Sequence, residues 1–469
     1  MPTLSNACSS WALKLNAMNS RARKILFYSF VAMFFILSAV ILPYAFGYKL
    51  NFSGMKLQRT GMFDIKTTPA GANIYLNGKK QVSFLSQLSG RESAATTPIK
   101  LKNITPGTYQ VRLELDGYWP WEKQLIINPS ETTYLEDVYF FKKSQPLLLD
   151  QMPIENIQTT LVSPDHKHLA VLTKQELKIF TLDKNQAPQT ITLPQPIKNY
   201  LSWSPSGQFI IAGQSLVDWR NSNITDLKNS GLKSFDKLLW ADDSLVYIRE
   251  KNNLKSLNLK NNQLAVIDLG PDTTDFTLKD GYLYLLRDGS MPSLSIFKLN
   301  GNLDKEVELI KLKAFENYRF IDLGQNTINL QEITSKKLYL VSTKLPWLKD
   351  YSIKEIGALT VGQWVSGDKL VFGNNFELSL WTSDANQAKL LTRISHPITA
   401  LAWHKSNNYV VFATDRSINT LELDDRYAYN ISTLLDLDKI AYPSFNRDGN
   451  RIIFFATINN QSGFYLLEI

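Results

Sequence analysis

The pattern of apolar and polar positions divides the chain into three parts. Residues 25–48, between Lys24 and Lys49, contain no charged side chain. About 20 apolar residues at 1.5 Å each cross a bilayer core, so this stretch predicts a transmembrane helix. From Gly61 the period shortens. Phe63-Asp64-Ile65-Lys66, Ile74-Tyr75-Leu76 and residues 109–115 and 124–127 are short apolar runs, largely alternating, that predict strands. Asn77-Gly78, Pro106-Gly107 and Asp116-Gly117 supply the turns between them.

From about residue 160 a unit recurs at a period near 40, the spacing of solenoids or propellers. It opens on a bulky residue, passes through a polar turn and enters an apolar strand. Instances are Val162-Ser163-Pro164-Asp165, Trp203-Ser204-Pro205-Ser206-Gly207, Trp240-Ala241-Asp242-Asp243 and Leu278-Lys279-Asp280-Gly281. It returns at Ile321-Asp322-Leu323-Gly324, Trp364-Val365-Ser366-Gly367-Asp368, Trp403-His404-Lys405-Ser406-Asn407 and Phe445-Asn446-Arg447-Asp448-Gly449. Each strand–turn–strand unit has two faces to cover, and radial stacking covers them. The last unit is too short for its outermost strand, and Pro146-Leu147-Leu148-Leu149 is the obvious donor. Seven or eight blades fit, eight slightly better.

Charge has to be located before it is interpreted. The pI near 9.1 invites a nucleic-acid reading. Residues 1–49, however, hold five basic residues and no acid, leaving 46 basic against 43 acidic side chains in the rest. No Lys/Arg run there is dense enough to track a phosphate backbone, so no nucleic-acid partner is expected. Arg21, Arg23 and Lys24 crowd the N-terminal end of the apolar stretch, and the positive-inside bias holds that end in the cytoplasm. A cleaved signal peptide is the alternative, with Ala45-Phe46-Gly47 as a weak cleavage site. Cys8, the sole cysteine, excludes an intrachain disulfide and a thiol-ligated metal site.

Two resemblances sharpen this. Thr67-Thr68-Pro69-Ala70-Gly71-Ala72-Asn73-Ile74-Tyr75-Leu76-Asn77-Gly78-Lys79 resembles the opening of the PEGA domain. Thr97-Pro98, Leu101, Pro106-Gly107-Thr108-Tyr109, Gly117-Tyr118 and Trp121 follow in the family's order. The resemblance implies a small β-sandwich, commonly carried by prokaryotic envelope proteins. It departs from the family between Lys79 and Thr97, where an expanded loop includes Ser83, Ser86, Ser89, Arg91 and Ser93. That loop is a binding element or a tolerated insertion. Tyr118, Trp119 and Trp121 form either a sugar-stacking platform or packing. The Trp-Ser-Pro-x-Gly pieces resemble TolB-like propeller repeats. Residues 395–415 resemble a WD repeat, with His396 and Asp415 at that family's structural positions.

Candidate chemistry is sparse. No G-x-S-x-G elbow occurs. His166-Lys167-His168 has metal-like spacing, its imidazoles expected on one side, but lacks a third ligand. His404 sits in a turn and carries no signal. Asp242-Asp243 and Asp424-Asp425 lack a calcium-loop pattern and are expected to form turns. No catalytic, cofactor-binding or metal-binding residue is assigned, and no cofactor is expected.

The expectation is an all-β chain with one N-terminal transmembrane helix. Residues 1–24 form a cytoplasmic tail, 25–48 the helix, 61–141 a PEGA β-sandwich and 146–469 a seven- or eight-bladed β-propeller. It would sit single-pass in the cell membrane with its C-terminal domains outside. Its expected role is a non-catalytic envelope binding or scaffold protein, with a protein or cell-wall glycan as partner. The alternative is an envelope hydrolase or lyase with its site in the propeller channel.

Overall fold

The computed structural model describes residues 20–51, 56–82, 94–195, 197, 199–230, 236–270, 272–299, 306–323, 327–342, 352–366, 368–385 and 387–469. It divides into two compact units, Met1–Phe140 and Phe141–Ile469. The expanded loop of the sandwich, with Ser83 to Ser93, and Cys8 lie outside the described residues.

The first unit opens on helix Ser20–Ala45, long and apolar enough to cross a membrane. Phe27, Phe30, Phe34 and Phe35 stand exposed along it. Gly47, at φ +76°, turns the chain out of the helix, a left-handed exit that glycine takes without Cβ strain. Strand Tyr48–Asn51 then pairs antiparallel with Lys56–Arg59. The hydrophobic pattern gave no hint of this two-stranded ribbon.

The sandwich follows. Gly61–Thr68 lies between Ile99–Ile104, antiparallel, and Thr132–Tyr139, parallel. The facing sheet runs Lys79–Lys80, Asn73–Leu76, Gly107–Glu114, Trp121–Ile127. Phe63, Ile65, Ile74, Val111, Leu113, Leu125 and Phe140 fill the space between the sheets. The two Thr-Pro motifs fasten this module from inside. Thr97 Oγ1 lies 2.6 Å from Thr67 Oγ1 and accepts the Ala72 N–H at 3.0 Å, and both threonines are buried.

The second unit is a β-propeller. Its described residues form eight four-stranded antiparallel sheets. Their first strands are Ile157–Val162, Leu201–Trp203, Lys237–Asp242, Thr273–Lys279, Tyr318–Phe320, Val361–Ser366, Ile398–Trp403 and Ala441–Phe445. Neighbouring first strands lie against one another around much of the ring. Second strands such as His168–Thr173 and Tyr409–Thr414 are buried almost throughout, because adjacent sheets cover both faces. The last sheet takes its outer strand from Leu147–Gln151, which pairs with Gln461–Glu468. Leu169, Phe180, Ile453 and Phe464 then share one apolar cluster across the joint.

The recurrent turn has one repeated geometry. In Ser163–His168, Ser204–Phe209, His404–Tyr409 and Asn446–Arg451 the first residue's N–H donates to the last residue's carbonyl. The fourth residue is left-handed each time: His166 (φ +55°), Gly207 (+70°), Asn407 (+64°) and Gly449 (+63°). That requirement explains the recurring glycine and asparagine.

Candidate functional site

Polar residues from several sheets of the propeller meet at one cavity. A cavity of about 570 Å³ is lined from the second to the fifth sheets by Ser202, Lys237, Trp240, Thr277, Lys279 and Asn329, among others. The alternation in Thr273–Lys279 explains the polar wall. Asp275, Thr277 and Lys279 fall on one face of the strand, while Phe276 faces the sheet core.

Asp275 does not line the cavity itself but ties together residues that do. Its Oδ1 accepts the Lys237 ammonium at 2.7 Å and the Phe276 N–H at 2.8 Å, and its Oδ2 accepts the Phe320 N–H at 2.8 Å. Three consecutive sheets are tied through one carboxylate. Lys237 Nζ also donates to the Phe276 carbonyl at 2.8 Å and sits 5.5 and 5.7 Å from the Phe276 and Phe320 ring centres. Lys279 donates to the Thr327 carbonyl at 3.2 Å, and burial pulls its pKa below the ordinary lysine value. The acid and the amine are thus engaged in holding strands together. A wider cleft of about 980 Å³ lies where the incoming segment Gln151 to Glu155 passes Asp438, Lys439 and Phe455, and it too is lined by polar side chains, Thr457, Asn459, Asn460 and Ser462 among them.

Two of the tryptophans that mark the repeat reach back to the preceding sheet, while Trp403 Nε1 donates to Asn407 Oδ1 within its own turn. Trp203 Nε1 donates to the Leu161 carbonyl at 3.0 Å, and Trp240 Nε1 to Ser202 Oγ at 3.1 Å. Asp243 accepts the Ser206 N–H at 3.1 Å, and Asp242 accepts the N–H groups of Ser244 and Leu245. These acids shape turns, as does Asp424, which holds Arg426, while Asp425 pairs with Lys389. Among the described residues no group of three or more His, Cys, Asp or Glu side chains is placed to hold a metal.

The histidines part company. His166 and His168 do not share a side, contrary to expectation. His166 occupies the left-handed turn position and bonds the backbone of Phe445 in the last sheet. His168 begins the strand and lies 4.8 Å from the Trp219 ring, in the second sheet. Left-handed backbone at His166 breaks the two-residue alternation that the expectation assumed. His396 Nδ1 meets Asp415 Oδ1 at 3.1 Å, tying the link between sixth and seventh sheets to a turn of the seventh. His404, read as carrying no signal, is fully buried beneath its turn. Its Nδ1 lies 2.8 Å from Ser406 Oγ, its ring packs on Phe141 and Tyr409, and burial pushes its pKa down to about 4. In the sandwich, Trp121 is in the core with Tyr118 packed against it, so these two rings serve packing.

One end of the propeller carries exposed apolar side chains. Met291, Phe315, Ile333 and Phe376 belong to the second–third turns, or to the links between sheets, of the fourth to sixth sheets. Turns and links of those two kinds emerge at the same end of an up-and-down ring. Phe315 is 89% exposed on left-handed backbone (φ +61°).

Comparison with known proteins supports the reading of the sandwich. Residues 60–138 match the PEGA domain. No curated protein matches the chain. Solved structures similar to it include a eukaryotic initiation factor, at 14% identity and a TM-score of 0.45, covering 68% of this chain and 86% of that one. The β-propeller domain of Myceliophteria thermophila Cps50 is similar at 10% identity and 0.41, covering 61% and 99%. Dipeptidyl peptidase 4 of Porphyromonas gingivalis is similar at 10% identity and 0.47, covering 67% and 58%.

Proposed function

We propose that the chain is a membrane-anchored binding or scaffold protein of the prokaryotic cell envelope. The helix holds it single-pass, with the PEGA module and propeller outside, and the propeller presents a docking surface to a protein partner. The observation that carries this reading is the run Met291, Phe315, Ile333 and Phe376 at one end of three successive sheets. Apolar side chains presented at one end from successive sheets are suited to docking a partner. Support also comes from the channel, where Asp275 and Lys237 are spent on joining strands.

A second reading, an enzyme with its site in the channel, is favoured by the convergence of Lys279, Thr277 and Asn329 on one cavity. Photocrosslinking in cells separates the two. A benzophenone residue at Phe315 or Phe376 is expected to give one discrete protein adduct, absent when the probe replaces Lys260 in another turn. No adduct at either position, with substrate turnover by the purified chain lost in Lys279→Met, would replace the binding reading with the enzymatic one.

A further inference from the structure

We propose that the ribbon formed by Tyr48–Asn51 and Lys56–Arg59 is a second membrane contact, seated on anionic phospholipid headgroups where the helix leaves the bilayer. This rests on reading Ser20–Ala45 as a membrane span. The distance argument comes first. Only Phe46 and Gly47 separate the helix from the first strand, three Cα steps with a reach of at most about 11 Å. The headgroup layer extends roughly 5–7 Å beyond the hydrocarbon on each side. A ribbon starting there begins within it or just above its surface.

The junction has no slack. The Thr60 N–H and Thr60 Oγ1 both donate to the Gly47 carbonyl, at 2.8 and 2.7 Å, closing the base of the ribbon on the helix exit. The register then separates two kinds of position. Tyr48 pairs with Arg59 and Leu50 with Leu57 on one face, while Lys49 pairs with Gln58 and Asn51 with Lys56 on the other. Leu57 is 54% exposed, and Phe46 beside the ribbon is 77% exposed. Arg59 Nε donates to Tyr48 Oη at 2.8 Å with its guanidinium 5.5 Å from the ring centre. This holds a cation beside an aromatic ring, a pairing suited to the bilayer interface.

Charge selects the partner. The ribbon contributes Lys49, Lys56 and Arg59, and no acidic residue precedes Asp64 in the chain. A short ribbon with one face of Tyr48, Leu50, Leu57 and Arg59 and further cations at Lys49 and Lys56 on the other matches a surface of anionic headgroups over acyl chains.

The test uses the full chain with Cys8→Ser and a single cysteine at Leu57→Cys carrying an environment-sensitive NBD label. It is reconstituted into phosphatidylcholine vesicles with and without phosphatidylglycerol. With phosphatidylglycerol, the label is expected to shift to the blue and be quenched by spin-labelled lipid. Both effects are expected to be lost in Lys49→Glu/Lys56→Glu/Arg59→Glu and reduced in the corresponding glutamine variant. Red, unquenched emission in both vesicles, or a blue shift indifferent to lipid charge and to the triple substitution, overturns the inference. A label at Phe34→Cys separates the causes. Lipid-buried emission there keeps the span while the ribbon fails, and water-exposed emission removes both.

Discussion

Closure of the ring can be attacked with a single methyl group. Gly463 lies on the strand that receives Leu147–Gln151, at a point where the closing strand is bulged between Leu148 and Asp150. A Cβ at Gly463 would fall 2.2 Å from the Asp150 carbonyl oxygen, 2.9 Å from Leu148 Cδ1 and 3.0 Å from Gln151 Cα. Two of these are backbone atoms, so Gly463→Ala forces the closing strand away. The loss includes the ladder at Asp150 and Gln151 and the bond from Met152 N–H to the Ser462 carbonyl at 3.0 Å. About three hydrogen bonds at roughly 1 kcal/mol each give a cost of about 3 kcal/mol. Against a typical total of about 5–15 kcal/mol, that is a large fraction. Urea unfolding followed by tryptophan fluorescence reads it, in chains beginning at Lys142 and at Met152. The shorter chain lacks the strand, so the substitution is expected to cost less than about 1 kcal/mol there. Equal costs in both chains, or no cost in the longer one, would refute the closure.

Two further perturbations follow. His404 is neutral when folded, with a pKa of about 4 against an ordinary 6.5. Below pH 6.5 the unfolded chain takes up the proton and the folded chain does not. Stability is therefore expected to fall from pH 6.5 towards 4, by up to about 3 kcal/mol, and His404→Asn is expected to flatten that slope in pH-dependent unfolding. In the sandwich, Thr97→Val strands the Ala72 N–H and removes a partner from the buried Thr67 hydroxyl. A loss of about 2–3 kcal/mol is expected, read as faster amide exchange in Gly61–Thr68 and Asn73–Leu76.

The fold was legible where the sequence uses a local code. Asn77-Gly78 and the Ser-Pro-x-Gly turns name their own backbone geometry, and Leu147 to Leu149 pointed to the closing strand through a missing partner at the C-terminus. The site was less legible, because its contacts join residues about 40 positions apart. Asp275 meets Lys237 and Phe320 only once three sheets are side by side. Its one sequence signal was the alternation of Asp275, Thr277 and Lys279 beside Phe276. His404 carried no signal because it belongs to a turn, but Phe141 covers it from 263 positions away. The ribbon after the helix escaped notice since each strand has four residues, too few to show a period. It also changes the charge balance. Lys49, Lys56 and Arg59 stand beyond the helix against Arg21, Arg23 and Lys24 in its first turns, so the positive-inside asymmetry is smaller than the N-terminal cluster alone implied.

That balance makes topology the most direct test of a protein anchored to display its propeller outside the cell membrane. Protease is added to intact spheroplasts expressing the full chain with an epitope at the C-terminus, beside a cytoplasmic control protein. The account predicts that the epitope is lost while the control survives. Loss of the epitope only after permeabilisation would put the propeller in the cytoplasm and contradict it.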